Sequence, residues 1–427
     1  MQVVESAAAT GGRGSSPFWR YWAASAVSSV GDAVTAVALP LTAVTVLHAS
    51  SFEVSFLTAA TYAAWAFVGL PAGVVVQRLP LRGTQVAMDV VRGAALLSVP
   101  IAAWTHVLSI AQLAGVAVVV GLASVVFDVG NATFLVSVVD RSELERRNSF
   151  MSASHAATLT AGPSLGGLLV QVAAAPGAVL CDVASYLLSA TVLSTLPRPV
   201  AAREERRLSV WRSVRDGLRY VVRHPVVRPC ASMAVVTNTV CGGLMALTPV
   251  YLVRTLHAPV GLVGVVMASE GVGTLLGAAL TPRLARRIGS ARAILLAGVI
   301  GSAFALMMPL ASPGRGLLVF AIGNAGFAAG VVILSILART HRQQTTPPEL
   351  LARVVATVRF VSWGVVPLGA LAAGATATAF GLRTAFWALA VLAFLVPAIG
   401  RASALGSMRG LADEARGPTR PAAEHRG

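Results

Sequence analysis

Along this chain the apolar residues do not alternate with polar ones; they run on. Stretches with almost no charge recur at 21–47, 53–76, 84–105, 108–130, 149–173 and 178–196, and again at 226–250, 260–280, 290–310, 316–338, 355–379 and 383–400. A helix needs about 20 apolar residues to cross a bilayer, so the pattern predicts twelve transmembrane helices. Residues 198–225 break it. There Trp211, Val214, Leu218, Val221 and Val222 recur at helical spacing among arginines, which predicts an amphipathic helix on the membrane surface inside a central loop. Residues 1–18 and 401–427 are polar and are expected to be disordered tails. The remainder divides into an N-terminal unit, 19–197, and a C-terminal unit, 226–400.

The two units echo each other. "ALPLTAVTVLHAS" at 38–50 aligns with "ALTPVYLVRTLHAP" at 246–259, so that Leu47-His48-Ala49 matches Leu256-His257-Ala258, 209 residues on. At the same offset Arg78 matches Arg287. Later, "RSELERR" leads into a run with Pro163 and Gly166, and "PPELLAR" into one with Pro367 and Gly369. A six-plus-six duplication is a transporter pattern rather than an enzyme pattern.

Composition narrows the reading. Charged residues make up 12% of the 427, where a soluble domain carries about 25%. The net charge of +16 comes from 33 arginines with no lysine at all. They gather in the tails, the central loop and alternate short loops, whereas only Arg254, Arg315 and Arg383 fall on the other side. This bias predicts that both termini are cytoplasmic; scattered among apolar runs, the charge does not suggest nucleic acid. Without lysine there is neither a phosphate-binding Walker loop nor a Schiff base. Cys181, Cys230 and Cys241 sit in or beside apolar runs with no C-x-x-C pair, and read as small buried hydrophobes. No metal or cofactor is expected.

Ionisable residues inside the runs are costly, and they face a cavity or a partner. Asp32 lies eleven residues into the first run, roughly 16 Å deep at 1.5 Å per residue. Glu270 is near the middle of the eighth. A carboxylate there binds and releases a proton as its surroundings change, so both are proton-coupling candidates, Asp32 first. Asp182 falls near the outer end of the sixth run, a few residues from its start, where water is expected to reach it. Asp89 and Arg92 are one helical turn apart and predict a local ion pair. Trp65, Trp363, His155, Asn238 and Asn324 lie within runs and are candidates to line a cavity; their alternative role is to join neighbouring helices.

The fifth run contains Gly162, Pro163, Gly166 and Gly167. Proline removes one helical hydrogen bond and kinks the helix, while the glycines let a neighbouring helix approach closely.

These residues, with "SSVGDAVTAVALPLTA", "GLPAGVVVQRLPLRG", "MDVVRG", "VFDVGNATFL", "DGLRYVVRHPVVR" and "RFVSWGVVPLGALAAG" in that order, are where the chain resembles a family. Over residues 18–400 it is similar to major facilitator superfamily transporters, of the branch that holds the enterobactin exporter and macrolide-type efflux proteins. The resemblance implies an all-α membrane protein, with twelve transmembrane helices in two pseudo-symmetric six-helix bundles. It implies secondary active export of a small amphipathic molecule (drug, siderophore or secondary metabolite) by proton antiport and alternating access, in the plasma membrane, as a monomer. Gly162-Pro163-x-x-Gly166-Gly167 resembles the family's antiporter motif. Gly73-x-x-x-Gln77-Arg78-x-x-x-Arg82 stands where the family has a cytoplasmic latch, with Gln77 in place of the usual aspartate; the ion–dipole part of that latch is therefore missing. By the same resemblance Asp128 would meet Arg82, and Asp89 and Arg92 belong to the latch region. An importer of the same fold, a multi-pass membrane enzyme and a sensor without transport remain as rivals.

Overall fold

The structure is a computed structural model that describes residues 15–138, 143–197, 210–408 and 410, the side chains of 15–16, 66–78, 132–133, 135–138, 144–146, 148–149, 152, 156, 210–214, 348–349 and 352 excepted. Its helices follow the apolar runs. The first half holds α1 (Ser15–Thr45), α2 (Ser51–Arg78), α3 (Leu81–Trp104), α4 (Ile110–Val138) and α5 (Leu144–Ser194). A surface helix, α6 (Val210–Arg223), leads to α7 (Val227–Arg254) and α8 (Val260–Ile288). The ninth crossing is α9 (Ser290–Ala305) continued by α10 (Met307–Leu310), and the tenth is α11 (Gly316–Thr345). The eleventh is α12 (Pro348–Gly364) with α13 (Val366–Phe380), and the twelfth α14 (Leu382–Ala393) with α15 (Leu395–Ala402).

Ten stretches among the described residues are long and apolar enough to cross a bilayer. One of them, Ala153–Ser194, has 42 residues, about twice what one crossing needs. It breaks at Ala174, whose φ of 57° and ψ of 165° are not helical. Neighbouring positions in α1 show that the chain doubles back there. Gly31 touches Asp182 and Ala33 touches Gly162, although a straight helix would hold those partners about 30 Å apart. With α5 making two passes and α2 supplying another of 28 residues, the chain crosses twelve times in two six-helix bundles.

Even numbers of crossings leave the termini and the α6 linker on one side, called the linker side; the opposite face is the far side. Phe18 is fully buried beside Tyr21 and Phe134, which is why α1 starts ahead of the expected boundary at residue 19. At the other end Leu405 is buried in a short turn, Ala404–Gly406, so packing continues past residue 400.

Repetition is visible in backbone detail. His48 and His257 both adopt the left-handed conformation, with φ of 49° and 50°. Each lets the next residue fold back on its helix: the amide of Ala49 donates to Ala43, and that of Ala258 to Leu252, both at 2.9 Å. Ala174 and Gly381 form a second such pair, with φ of 57° and 91° before the sixth and twelfth crossings.

Cys230 is buried and Cys241 half-buried, as expected of small hydrophobes, whereas Cys181 is exposed.

Candidate functional site

Three helices bring their polar residues together at mid-membrane depth. Arg92 of α3 is 2% exposed, and its guanidinium lies between the rings of Phe127 and Tyr186, each 4.2 Å from the ring centroid. Such a sandwich supplies cation–π attraction where water is absent. One terminal nitrogen pairs with the fully buried Asp89, as the spacing of the two residues predicts. The other stands 4.0 Å from Asp32 Oδ1. The same oxygen accepts a hydrogen bond from the Tyr186 hydroxyl. Asp32 differs from Asp89 in one respect that decides its chemistry: its side chain is 47% exposed. Its surroundings join it to a buried arginine while leaving it half-exposed.

Asp182 contradicts the expectation of a wet carboxylate. It is fully buried, accepting from Thr35 Oγ1 at 2.6 Å and from Ser185 Oγ at 2.9 Å. The reason is Gly31: a Cβ at that position would fall on the Asp182 carboxylate and the Ser185 hydroxyl. Without a side chain, α1 closes over them. Asp32 and Asp182 thus hold two successive residues of α1 against the second pass of α5.

The Gly-Pro segment holds the other side of α1. A Cβ on Gly162 would strike that of Ala33, and one on Gly166 would come 3.2 Å from the Cα of Val34. Gly167 faces elsewhere. A Cβ there would lie 2.8 Å from the amide nitrogen of Gly264 in α8. Gly264 in turn abuts the Pro163 carbonyl. One motif therefore packs α5 on α1 within its half and on α8 across the seam between halves. Other seam contacts place Gly374 of α13 on Ser55 of α2, and Arg254 on the carbonyl oxygen of Ala49 at 2.5 Å. Together they close the far side.

Across the seam, Trp65 and Trp363 meet with ring centroids 6.1 Å apart, and the Tyr62 ring lies tilted 6.3 Å from Trp363. Arg359 lies over Trp65 at 4.5 Å and is exposed. Glu270 is exposed too, and acts electrostatically on Tyr62 and Cys241. Asp128, also exposed, lies within electrostatic range of Asp32, Arg92 and Arg359. Charged groups from both halves thus lie around the aromatic contact of Tyr62, Trp65 and Trp363.

The remaining candidates separate. Asn324 donates to Ser269 Oγ at 3.1 Å and joins α11 to α8, while Asn238 bonds its own helix at Ala234. His155 is exposed. Arg82 does not meet Asp128; its guanidinium donates to the Leu196 carbonyl at 2.7 Å, because the C-terminal end of α5 offers an unpaired carbonyl nearer than the carboxylate. Gly73 and Gln77 fall on the last turns of α2 and Arg78 ends it, but their side chains lie outside the described residues.

Three participants were not singled out from the sequence: Tyr186 and Tyr62 sit among apolar residues, and Arg359 lies a few residues inside the run 355–379. Only a tally of every ionisable residue by depth would have raised Arg359.

Comparison with known proteins agrees with this architecture. The chain is 27% identical over 387 residues to the "Multidrug efflux pump Tap" of Mycobacterium tuberculosis (strain ATCC 25618 / H37Rv), covering 86% of this chain and 88% of that one. An uncharacterized MFS-type transporter of Bacillus subtilis (strain 168), YfiS, is 25% identical over 388 residues, covering 88% and 90%. Among solved structures, the nucleoside transporter NupG superposes with a TM-score of 0.70 at 12% identity, over 90% of this chain and 99% of that one. A bacterial homologue of the iron transporter ferroportin, in an inward-facing state, gives 0.70 at 16%, over 90% and 98%. The family model of the Major Facilitator Superfamily matches residues 21–366, and with twelve crossings in two repeated bundles this chain belongs to that superfamily.

Proposed function

We propose that the protein exports a small amphipathic molecule in exchange for protons by alternating access, as a monomer in the plasma membrane with its linker side in the cytoplasm. The observation that carries this reading is Asp32. It is a half-exposed carboxylate at mid-membrane depth, held by Tyr186 and 4.0 Å from a buried arginine. Protonation there weakens its attraction to Arg92, so proton occupancy and the packing of α1 are linked. The relatives named as multidrug efflux pumps support the direction of transport, and the arginine bias supports the orientation. With its far side closed, the conformation corresponds to one open to the cytoplasm. Trp65, Trp363 and Glu270 offer an aromatic and acidic wall to the cargo. Gly73, Gln77, Arg78, Arg82, Asp89, Arg92 and Asp128 form the region that opens and closes on the cytoplasmic side.

The test uses purified protein in vesicles, ethidium as the probe and an imposed pH gradient. Gradient-driven uphill movement of ethidium is expected for the wild type. Asp32→Asn should lose it while keeping downhill exchange. Survival of uphill movement in that variant would transfer the proton to Glu270. Movement of ethidium in the same direction as the proton would instead favour an importer. Cysteines placed at Ser312 and Ser407 test orientation: reagent outside intact cells should reach only Ser312.

A further inference from the structure

Helix α6 (Val210–Arg223) is tied down on one face. Asp216 accepts from Arg353 of α12 at 3.0 Å. A Cβ on Gly217 would come 2.7 Å from the Arg353 carbonyl oxygen, and Val221 is buried against Val354 and Val358. The rest of the helix is not tied. Leu218 and Val222, one turn apart, are 45% and 52% exposed. Arg215, Arg219 and Arg223 are all exposed and, spaced by four, form one stripe. Asp216 is the acidic residue beside them, and its carboxylate is engaged by Arg353; among the described residues no carboxylate lies within 4.0 Å of Arg219 or Arg223. Like charges at this spacing repel and destabilise a helix, so the stripe calls for anions.

A groove of about 510 Å³ adjoins the stripe, lined by Asp216, whose carboxylate is held by Arg353, by Arg219, Tyr220, Arg223, His224 and Pro225 and, on the α12 side, by Leu350. Going round the helix, the order is exposed Leu218 and Val222, then the arginines, then the groove. This is the arrangement of an interfacial helix whose apolar edge dips into the acyl region while cations stay at headgroup level. A soluble anion would satisfy the arginines but leave Leu218 and Val222 facing water; an anionic lipid satisfies both.

We propose that this groove binds an anionic phospholipid, with Arg219 and Arg223 on its phosphate and Leu218 and Val222 beside its acyl chains. Because Asp216, Gly217 and Val221 bind α6 to α12, the lipid is held against the eleventh crossing.

Native mass spectrometry of the delipidated full-length protein, titrated with phosphatidylglycerol or phosphatidylcholine, tests the assignment. The wild type should retain phosphatidylglycerol preferentially. Arg219→Gln with Arg223→Gln should bind it about 30-fold more weakly, the effect of two interfacial arginines. Arg219→Lys with Arg223→Lys should keep most of the preference. Arg286→Gln with Arg287→Gln, which removes two exposed arginines at the end of α8, should leave it unchanged. Equal loss in the α8 variant would mean general attraction to positive charge and would overturn the site. Displacement of the lipid by millimolar inorganic phosphate would identify a soluble anion as the ligand, and would overturn the lipid assignment.

Discussion

Substituting Gly264 by alanine tests whether the glycine seam holds the far side closed. In the structure a Cβ at this position falls on the carbonyl oxygen of Pro163 and lies 2.8 Å from the Cα of Gly167. Ordinary carbon contacts need about 3.5 Å or more, and both neighbours are backbone atoms that no rotamer change can move. The helices must therefore part by roughly 1 Å, and overpacking of this kind costs about 1–3 kcal/mol. The cost falls only on the conformation in which α5 and α8 touch. When the far side opens the two helices separate, and the methyl group meets nothing. A penalty confined to one of two states shifts their ratio by about 5- to 150-fold. Spin labels at Val107 and Ser312, exposed on far-side turns of the two halves, report the separation by pulsed electron resonance, with Cys181, Cys230 and Cys241 replaced. Gly264→Ala should enlarge the long-distance population. Gly167→Ala should do the same, and the double variant should add little, because both open the same contact. Gly115→Ala, whose Cβ would meet nothing within 4 Å, should change nothing. An unchanged distance distribution in folded Gly264→Ala would refute the reasoning.

Three further outcomes follow from local energetics. Ala174 carries an alanine at φ 57° and ψ 165°, a region essentially reserved for glycine and costing about 1–3 kcal/mol. Ala174→Gly should therefore raise the thermal unfolding midpoint in detergent, whereas a fall would show the strain to be absent. Arg92→Ala leaves the Asp89 carboxylate buried without its cation and should destabilise by about 3–5 kcal/mol; adding Asp89→Asn should recover part of the loss, which the same unfolding measurement reads. Thr35→Val removes the 2.6 Å hydrogen bond to Asp182 and should cost about 1.5–3 kcal/mol, with Thr35→Ser close to wild type; equal losses would mean that volume, not the hydroxyl, matters.

How much of this was legible depends on which solvent wrote it. Lipid demands long uninterrupted apolar runs, so the crossings stand out, and even the reversal at Ala174 shows as a gap between 173 and 178. The repeat was legible at His48 and His257 because a left-handed turn constrains sequence locally. The depth of Asp32 could be counted. Its partners could not: Tyr186 is 154 residues away along the chain, and nothing near it distinguishes it from other aromatic residues in a membrane helix. Asp182 was misjudged because depth along a helix says nothing about rotation, and rotation turns it into Gly31 rather than toward water. Arg359 was overlooked although it lies inside the run 355–379: among charges within the runs, only the carboxylates and the Asp89–Arg92 pair were weighed. The pairing of Arg82 with Asp128 came from resemblance alone, and in this conformation Arg82 instead holds the Leu196 carbonyl.

The glycine spacing carries more than the motif does. Gly162 and Gly166, four apart, share the face of α5 turned to α1, while Gly167 stands about 100° further round and meets α8. Helix α5 is therefore packed closely on two sides at these glycines, and α1, α5 and α8 form a stack. The second half repeats the device. A Cβ on Gly369 of α13 would strike the carbonyl of Thr239 in α7, and one on Gly374 would strike Ser55 of α2, which gives a stack of α7, α13 and α2. Interdigitated side chains absorb small shifts by changing rotamer, but backbone contacts have no such slack. A displacement of α1 at Asp32, where Gly31 and Ala33 are pinned to the two passes of α5, is therefore not dissipated within its half. Such a displacement is expected to pass through Gly162 and Gly167 to α8, with the seam staying closed or parting as a unit.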